Sequence, residues 1–185
     1  MNEFCFVESP IGVIELEAES NFISRIKFRE GNSLQLCKES KQNDESPILT
    51  QASKQIDEYF NGNRKLFDIP FKLNVPPFYK KVLSEVKKVK YGETASYGKI
   101  ARMAGNNKAV RAVGTANAKN PLPIIIPCHR IIFSNGNIGG YSGGLDKKLY
   151  LLNHESNLFH WITESFNKIS SQLNLPYYGF NNTNI

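Results

Sequence analysis

Cys128 lies in the run Ile126-Pro127-Cys128-His129-Arg130 and is the strongest chemical candidate in this 185-residue chain. A cysteine attacks as its thiolate, which a neighbouring base or cation favours; His129 is adjacent and Arg130 adds positive potential. The preceding Ile124-Ile125-Ile126 reads as a short buried β-branched run, so the reactive-looking residues sit at the end of a rigid element, with Pro127 fixing the chain's approach. The alternative for any intracellular cysteine is a small core hydrophobe. The company of a histidine and an arginine points to chemistry instead. Downstream, Gly139-Gly140-Tyr141-Ser142-Gly143-Gly144 lacks the Lys-Ser/Thr of a phosphate loop. It reads as a flexible turn, or as a pocket wall where backbone amides reach a ligand.

These residues need a scaffold. Ser9-Pro10-Ile11-Gly12 reads as a turn, and 13–19 alternates Ile14, Leu16 and Ala18 with Glu15, Glu17 and Glu19, the pattern of a half-buried strand whose partner is 22–28. Ser46-Pro47 supplies an N-cap and an N1 proline for a helix with Ile48, Ala52, Ile56 and Tyr59 on one face, ended by Asn61-Gly62. The polar stretch 38–45 reads as a loop or frayed helix. Val75-Pro76-Pro77 interrupts both strand and helix and marks a boundary. Beyond it Phe78, Val82, Val86 and Val89 follow helical spacing up to Tyr91-Gly92, and a new helix starts at Thr94 or Ser96.

That helix spans about 96–104, with Ile100, Ala101 and Ala104 inward, and Gly105-Asn106-Asn107 breaks it. The next spans about 108–118, with Val110, Val113 and Asn117 near one face. Helix, glycine-containing turn, helix is the pattern of a helix-turn-helix, although an ordinary helical hairpin looks the same. Ala109, Ala112, Gly114, Ala116 and Ala118 make the second helix slim, and Arg111 is its main long cation. Such a surface suits tight helix packing or a DNA groove.

The expected fold class is therefore α+β/α. Residues 1–74 form a small α/β domain with antiparallel strands, and 75–156 a mostly helical domain with a helix-turn-helix over about 96–118. Residues 157–185 form a helical extension carrying Leu158, Ile162, Phe166, Ile169 and Leu173 at near-helical spacing.

Charge divides along the same boundary. Residues 1–74 carry 9 Lys or Arg against 12 Asp or Glu, a net of −3, whereas 75–155 carry 13 against 4, a net of +9. Clustered cations point to a polyanion, since they release counterions when they neutralise phosphates; a solvated basic face is the alternative. Hydrophobic residues at 41% and charged residues at 22% suit a globular protein. The start of the chain lacks the features of a signal peptide and no run is long enough to cross a bilayer, so no membrane association is expected and an intracellular protein is, cytoplasmic or, in a eukaryote, nuclear. Cys5, Cys37 and Cys128 are odd in number and far apart, which argues against a disulfide framework or zinc ribbon.

In these motifs the chain resembles the 6-O-alkylguanine-DNA alkyltransferases, also called methylated-DNA:protein-cysteine methyltransferases. Pro-Cys-His-Arg, the preceding Asn-Pro-x-Pro with three aliphatic residues, Tyr-Ser-Gly-Gly-Leu, and Leu151-Leu152-x-His154-Glu155 recur in the family's order and spacing. The resemblance is strong from 78 to 155 and weaker over 9–28; 156–185 lie outside it.

The resemblance implies direct reversal of DNA damage. The alkyl group of 6-O-methylguanine, and of 4-O-methylthymine, would pass stoichiometrically and irreversibly to Cys128, with no cofactor. His129 would relay the thiol's proton through a water, Glu155 would hold and polarise His129, and Asn120 would brace the turn between the second helix and the active-site strand. Tyr97 would donate a proton to the departing guanine, and Arg111 would fill the space of the extruded nucleotide. Ala109, Ala112, Gly114, Thr94 and Ser96 would meet DNA, while Pro123, Gly139, Tyr141 and Ser142 would line the base pocket, Gly139 leaving room for the alkyl group. The partner would be double-stranded DNA carrying alkylated guanine, bound by a monomer through the minor groove without sequence specificity.

Some family members hold a structural zinc in the N-terminal domain. Here His129, His154 and His160 all lie beyond residue 128, so no metal is expected. A cysteine hydrolase using Cys128, His129 and Glu155, a non-enzymatic damage-binding module, and a helix-turn-helix regulator are the rival readings. Adjacent catalytic Cys and His diverge too much for a direct pair, the binding modules replace the acceptor cysteine, and no additional DNA-binding domain is visible.

Overall fold

The computed structural model describes residues 2–29 and 46–156. Expectations for Cys37, for the 38–45 stretch and for the 157–185 extension fall outside them. The chain opens with β1 (Asn2–Val7), β2 (Val13–Glu19) and β3 (Phe22–Arg29), a three-stranded antiparallel sheet in the order β1-β2-β3. The strand β1 had not been anticipated. It pairs with β2 along its whole length, from Asn2 opposite Glu19 to Val7 opposite Ile14, although its short mixed run carries no clean alternation.

Strand β2 buries Ile14, Leu16 and Ala18 completely, as its alternation requires. Its other face is unusual, because Glu15 is also buried, paired with Arg29 and Lys27. Helix α1 (Pro47–Phe60) packs on the sheet through Ile48, Leu49, Ala52, Ile56 and Tyr59. Pro47 begins it as expected, but the Ser46 hydroxyl makes no capping bond; it donates to Glu3 Oε2 at 2.6 Å.

Helix α2 (Pro77–Lys87) buries Val82, Leu83 and Val86, each worth about 1.5–3 kcal/mol of transfer free energy. A two-residue strand β4 (Ala95–Ser96) leads into α3 (Tyr97–Met103), with Ser96 as its N-cap: the Ser96 hydroxyl accepts from Lys99 N–H at 3.1 Å. Of the two starts considered, Ser96 is therefore the one used. Helix α4 (Val110–Ala118) follows and buries Val113, Ala116 and Asn117. Val110, read as lying near one face with Val113 and Asn117, is 39% exposed. The core-facing stripe of α4 is set by Val113 and Ala116, and Val110 lies on the face that looks into a cleft.

The Ile124-Ile125-Ile126 run is buried, but it is a turn rather than a strand. Pro121, Pro123 and Pro127 each remove a backbone donor, so no continuous ladder can form there. The turn is held instead by Ile126 N–H to Leu122 O and Cys128 N–H to Ile126 O, both 2.8 Å, with Ile124 at a φ of 74°. One 3₁₀ turn at Cys128–Arg130 leads to β5 (Ile131–Ile132), and α5 (Leu145–Glu155) closes the described chain. Strands β4 and β5 pair in parallel, Ala95 opposite Ile131 and Ser96 opposite Ile132. That pairing brings the start of α3 beside the Cys128 turn. One continuous buried core joins the sheet and α1 to α2, α3 and α4, and no helix among the described residues is long and apolar enough to cross a membrane.

Candidate active site

Asn120, just after α4, organises the cysteine turn. Its Oδ1 accepts from Leu122 N–H at 3.0 Å, while Nδ2 donates to Ile126 O at 2.8 Å and to Cys128 Sγ at 3.1 Å. One amide therefore fixes both ends of the turn and also touches the thiol. The backbone edge of β3 clasps the same turn, Ile26 N–H donating to Pro121 O at 2.8 Å.

Cys128 is buried, and burial raises its thiol pKa, outweighing the hydrogen bond from Asn120 and the field of Lys148. The resting sulfur is thus a neutral thiol. Arg130, expected to lend it positive potential, is directed elsewhere. Its Nε donates to Glu155 Oε2 at 2.7 Å, Nη2 to Glu155 Oε1 at 2.9 Å, and Nη1 to Val89 O at 2.6 Å. The 3₁₀ turn points Arg130 away from the sulfur, and Lys148 is the cation whose charge reaches it.

His129 is fully buried, with Nε2 2.8 Å from Glu155 Oε1. Burial lowers the imidazole pKa more than the carboxylate restores it, so the ring is neutral. Burial also opposes ionisation of Glu155, yet the hydrogen bonds from His129 and Arg130 outweigh it and bring its pKa down to about 2. A carboxylate only accepts, so Nε2 carries the ring proton and Nδ1 keeps a lone pair. Among the described residues Nδ1 has no hydrogen-bond partner. The histidine is therefore a base whose basic nitrogen no described residue engages.

Two further residues complete the cluster, and the sequence had suggested neither. Tyr59, placed on the core face of α1, donates its hydroxyl to Glu155 Oε1 at 2.7 Å, and its backbone carbonyl lies 2.7 Å from His154 Nε2. No local pattern could reveal this contact, since Tyr59 and Glu155 are 96 residues apart. Lys148 is completely buried and donates to Ile131 O at 2.7 Å, Ile138 O at 2.6 Å and Gly140 O at 3.3 Å. Burial lowers its pKa to about 8, against a smaller opposing pull from Cys128. Its signal was present: Lys148 precedes Glu155 by two helical turns and so shares its face of α5.

A cleft of about 430 Å³ opens onto Cys128, walled by Tyr97, Arg111, Gly114, Asn117, Tyr141 and Ser142, with Val110, Ala118, Phe133 and Gly140. The structure thus brings Tyr97, Arg111, Gly114, Tyr141 and Ser142 together with the thiol. Burial raises the pKa of Tyr97 and, to a greater degree, that of Tyr141, so both keep their protons. Pro123 and Asn120 face a neighbouring cavity of about 290 Å³, shared with Ile26, Phe28 and Ser142.

Gly139 is absent from the wall of the Cys128 cleft. A Cβ there would lie 3.0 Å from the Phe133 ring and 3.1 Å from the Tyr97 hydroxyl, and its φ is +72°. Glycine is required at 139 by backbone conformation and by these two rings; the cleft wall is Gly140. Gly143 similarly admits Phe28 of β3, whose ring would lie 2.6 Å from an added Cβ. Thr94 and Arg111 are exposed, whereas Ala109 and Ala112 are half-buried. Ser96 is half-buried with its hydroxyl committed to the α3 cap. Among the described residues, no group of three or more His, Cys, Asp or Glu is arranged to hold a metal ion.

Residues 77–157 match the family described as 6-O-methylguanine DNA methyltransferase, DNA binding domain, and residues 4–73 match its ribonuclease-like domain. The methylated-DNA--protein-cysteine methyltransferase of Methanosarcina acetivorans is 40% identical over 153 residues, covering 82% of this chain and 97% of that protein. The constitutive one of Bacillus subtilis is 40% identical over 159 residues, covering 84% and 96%. The crystal structure of the Mycobacterium tuberculosis 6-O-methylguanine methyltransferase superposes with a TM-score of 0.72 at 32% identity, covering 90% of this chain and 99% of that one. The OGT protein of that organism in complex with DNA gives 0.71 at 32%, covering 83% and 92%. With matching models over both parts and relatives that it spans almost end to end, the chain belongs to the 6-O-methylguanine DNA methyltransferase family.

Proposed function

We propose that this protein repairs alkylated DNA directly, moving the alkyl group of 6-O-methylguanine, and of 4-O-methylthymine, onto Cys128. The observation that carries this reading is a neutral buried thiol lining an open cleft, followed in the chain by an imidazole whose basic nitrogen is engaged by no described residue. Sulfur attacks the alkyl carbon; a carbon–sulfur bond forms as the carbon–oxygen bond breaks. The thiol proton passes through a water to His129 Nδ1, Glu155 stabilising the imidazolium, and Tyr97 protonates the departing guanine. His129 then returns its proton to Tyr97, so the thiol's hydrogen ends on the base. A thioether is not hydrolysed by any group in the cluster, which makes the event stoichiometric.

Sulfur cannot reach the alkyl carbon in line within a stacked duplex, so the nucleotide must be extruded, at a cost of a few kcal/mol. Arg111, exposed on α4 at the mouth of the cleft, is suited to occupy the vacated space and offset that cost. The slim face of α4, with Gly114 and Ala118, favours minor-groove docking of a monomer without sequence specificity.

The test is to mix the protein with a duplex oligonucleotide carrying 6-O-methylguanine and map the product by peptide mass spectrometry. One methyl on the Cys128 peptide is expected, saturating at one per protein, with none in Cys128→Ser. Repeated turnover, or an unmodified Cys128 beside repaired DNA, sinks the reading.

A further inference from the structure

Among the described residues, the buried side-chain nitrogen and oxygen atoms without a hydrogen bond are Asn117 Nδ2 and Oδ1, His129 Nδ1 and the Tyr141 hydroxyl. All four belong to the Cys128 site: Asn117 and Tyr141 wall its cleft, and His129 is the next residue in the chain. Buried polar groups are ordinarily paired, because a desolvated donor or acceptor left alone destabilises the fold. Asn117 is the extreme case. Its relative exposure is 6%, yet both its donor and its acceptor are unmet.

Its position on α4 points to a ligand. Val110, Arg111, Gly114, Asn117 and Ala118 wall the cleft; their spacing of one, four, seven and eight residues is a single helical face. Asn117 is thus one turn beyond Gly114, on the stripe that fronts the cleft, where the surrounding surface from Val110, Phe133 and Ala118 is apolar.

We propose that Asn117 is a lesion-contacting residue: its amide hydrogen-bonds the extruded alkylguanine nucleotide and so sets the fraction of lesion held beside Cys128. This rests on the repair function proposed above. A guanine nucleotide offers both donors and acceptors, as the amide requires, and entering the cleft exchanges its own lost hydration for these contacts. The unmet amide is a standing destabilisation of the free protein that the bound lesion relieves.

The test is Asn117→Leu, similar in shape but apolar. Its melting temperature should rise by a few degrees, since an unpaired desolvated amide is removed. Its affinity for undamaged duplex should be unchanged. Single-turnover transfer from a 6-O-methylguanine duplex, at saturating protein, should slow on the order of tenfold, the loss expected for one to two hydrogen bonds. A structural asparagine would instead lower the melting temperature, and that outcome, or an unchanged transfer rate, overturns the proposal. Should the leucine variant not fold, Asn117→Ala is read for transfer rate against duplex affinity. Absence of transfer by the unaltered protein overturns the repair function itself, and this contact with it.

Discussion

Two polar clusters meet at His129, and they are built on opposite rules. On one side Glu155 is saturated: Tyr59, His129 and two nitrogens of Arg130 donate to its two oxygens. On the other side, Asn117 and the Tyr141 hydroxyl at the cleft wall, and His129 Nδ1 next to Cys128 in the chain, have no hydrogen-bond partner among the described residues. The saturated cluster fixes tautomer, ring orientation and charge, which is what a relay needs before any ligand arrives. The open cluster leaves its hydrogen-bonding capacity for something that binds.

The largest way to break this contrast is Glu155→Gln. An amide is a weaker acceptor and leaves the Arg130 guanidinium buried without its counter-charge, a change that costs about 3–5 kcal/mol of stability in denaturant unfolding. Single-turnover transfer should fall on the order of a hundredfold as the His129 tautomer is no longer enforced. A variant that transfers normally would show that the saturated cluster is only structural.

The same carboxylate makes a pH prediction. Its pKa is depressed from an ordinary 4.5 to about 2, so its stabilisation is full above about 4.5 and is lost as pH falls through about 2. Acid unfolding of the unaltered protein should be steep across that window, and shallower in Glu155→Gln.

Tyr59→Phe is a milder cut, removing one donor and leaving the ring. Transfer should slow a few-fold with unchanged duplex affinity. With less stabilisation of its charge, Glu155 becomes the stronger acceptor, so the His129 pKa rises and the acid limb of the rate profile moves to higher pH. The groups facing Glu155 that set this limb are His129, Arg130, Tyr59 and Tyr91. A superposable profile would mean that α1 contributes packing alone.

Lys148→Met is the smallest test. The buried ammonium has a pKa of about 8, below its ordinary 10.5, so between these values the unfolded chain binds more protons and stability rises with pH. Cys128 and the buried tyrosines pull the other way in this range, so the check is the difference between the two proteins: from pH 8 to 10.5 the stability of the methionine variant should rise less, or fall more, than that of the unaltered protein.

Much of this was legible in the residues. The alternation of β2, the helical faces of α1 to α3 and the Ser96 start follow from local periodicity and capping, which act over a few residues. Cys128, His129 and Glu155 were also legible, through motif and resemblance, as were Tyr97, Arg111 and Tyr141 at the cleft. Illegible features had a common cause. The path of 121–127 depended on three prolines denying a strand its donors, and β1 and the β4–β5 pair depended on partners far along the chain.

Short stretches of the chain are enough to mark Cys128 as the candidate nucleophile, His129 as its candidate base and the helices around them, because motif and apolar stripe are written in neighbouring letters. Contacts made across the fold turn Arg130 to Glu155 rather than to the sulfur, bring Tyr59 over from α1, and bury Asn117 with no hydrogen-bond partner among the described residues. Each of these concerns a single polar atom meeting, or missing, another from a distant segment. Such pairings depend on direction to within an ångström and leave no period in the chain.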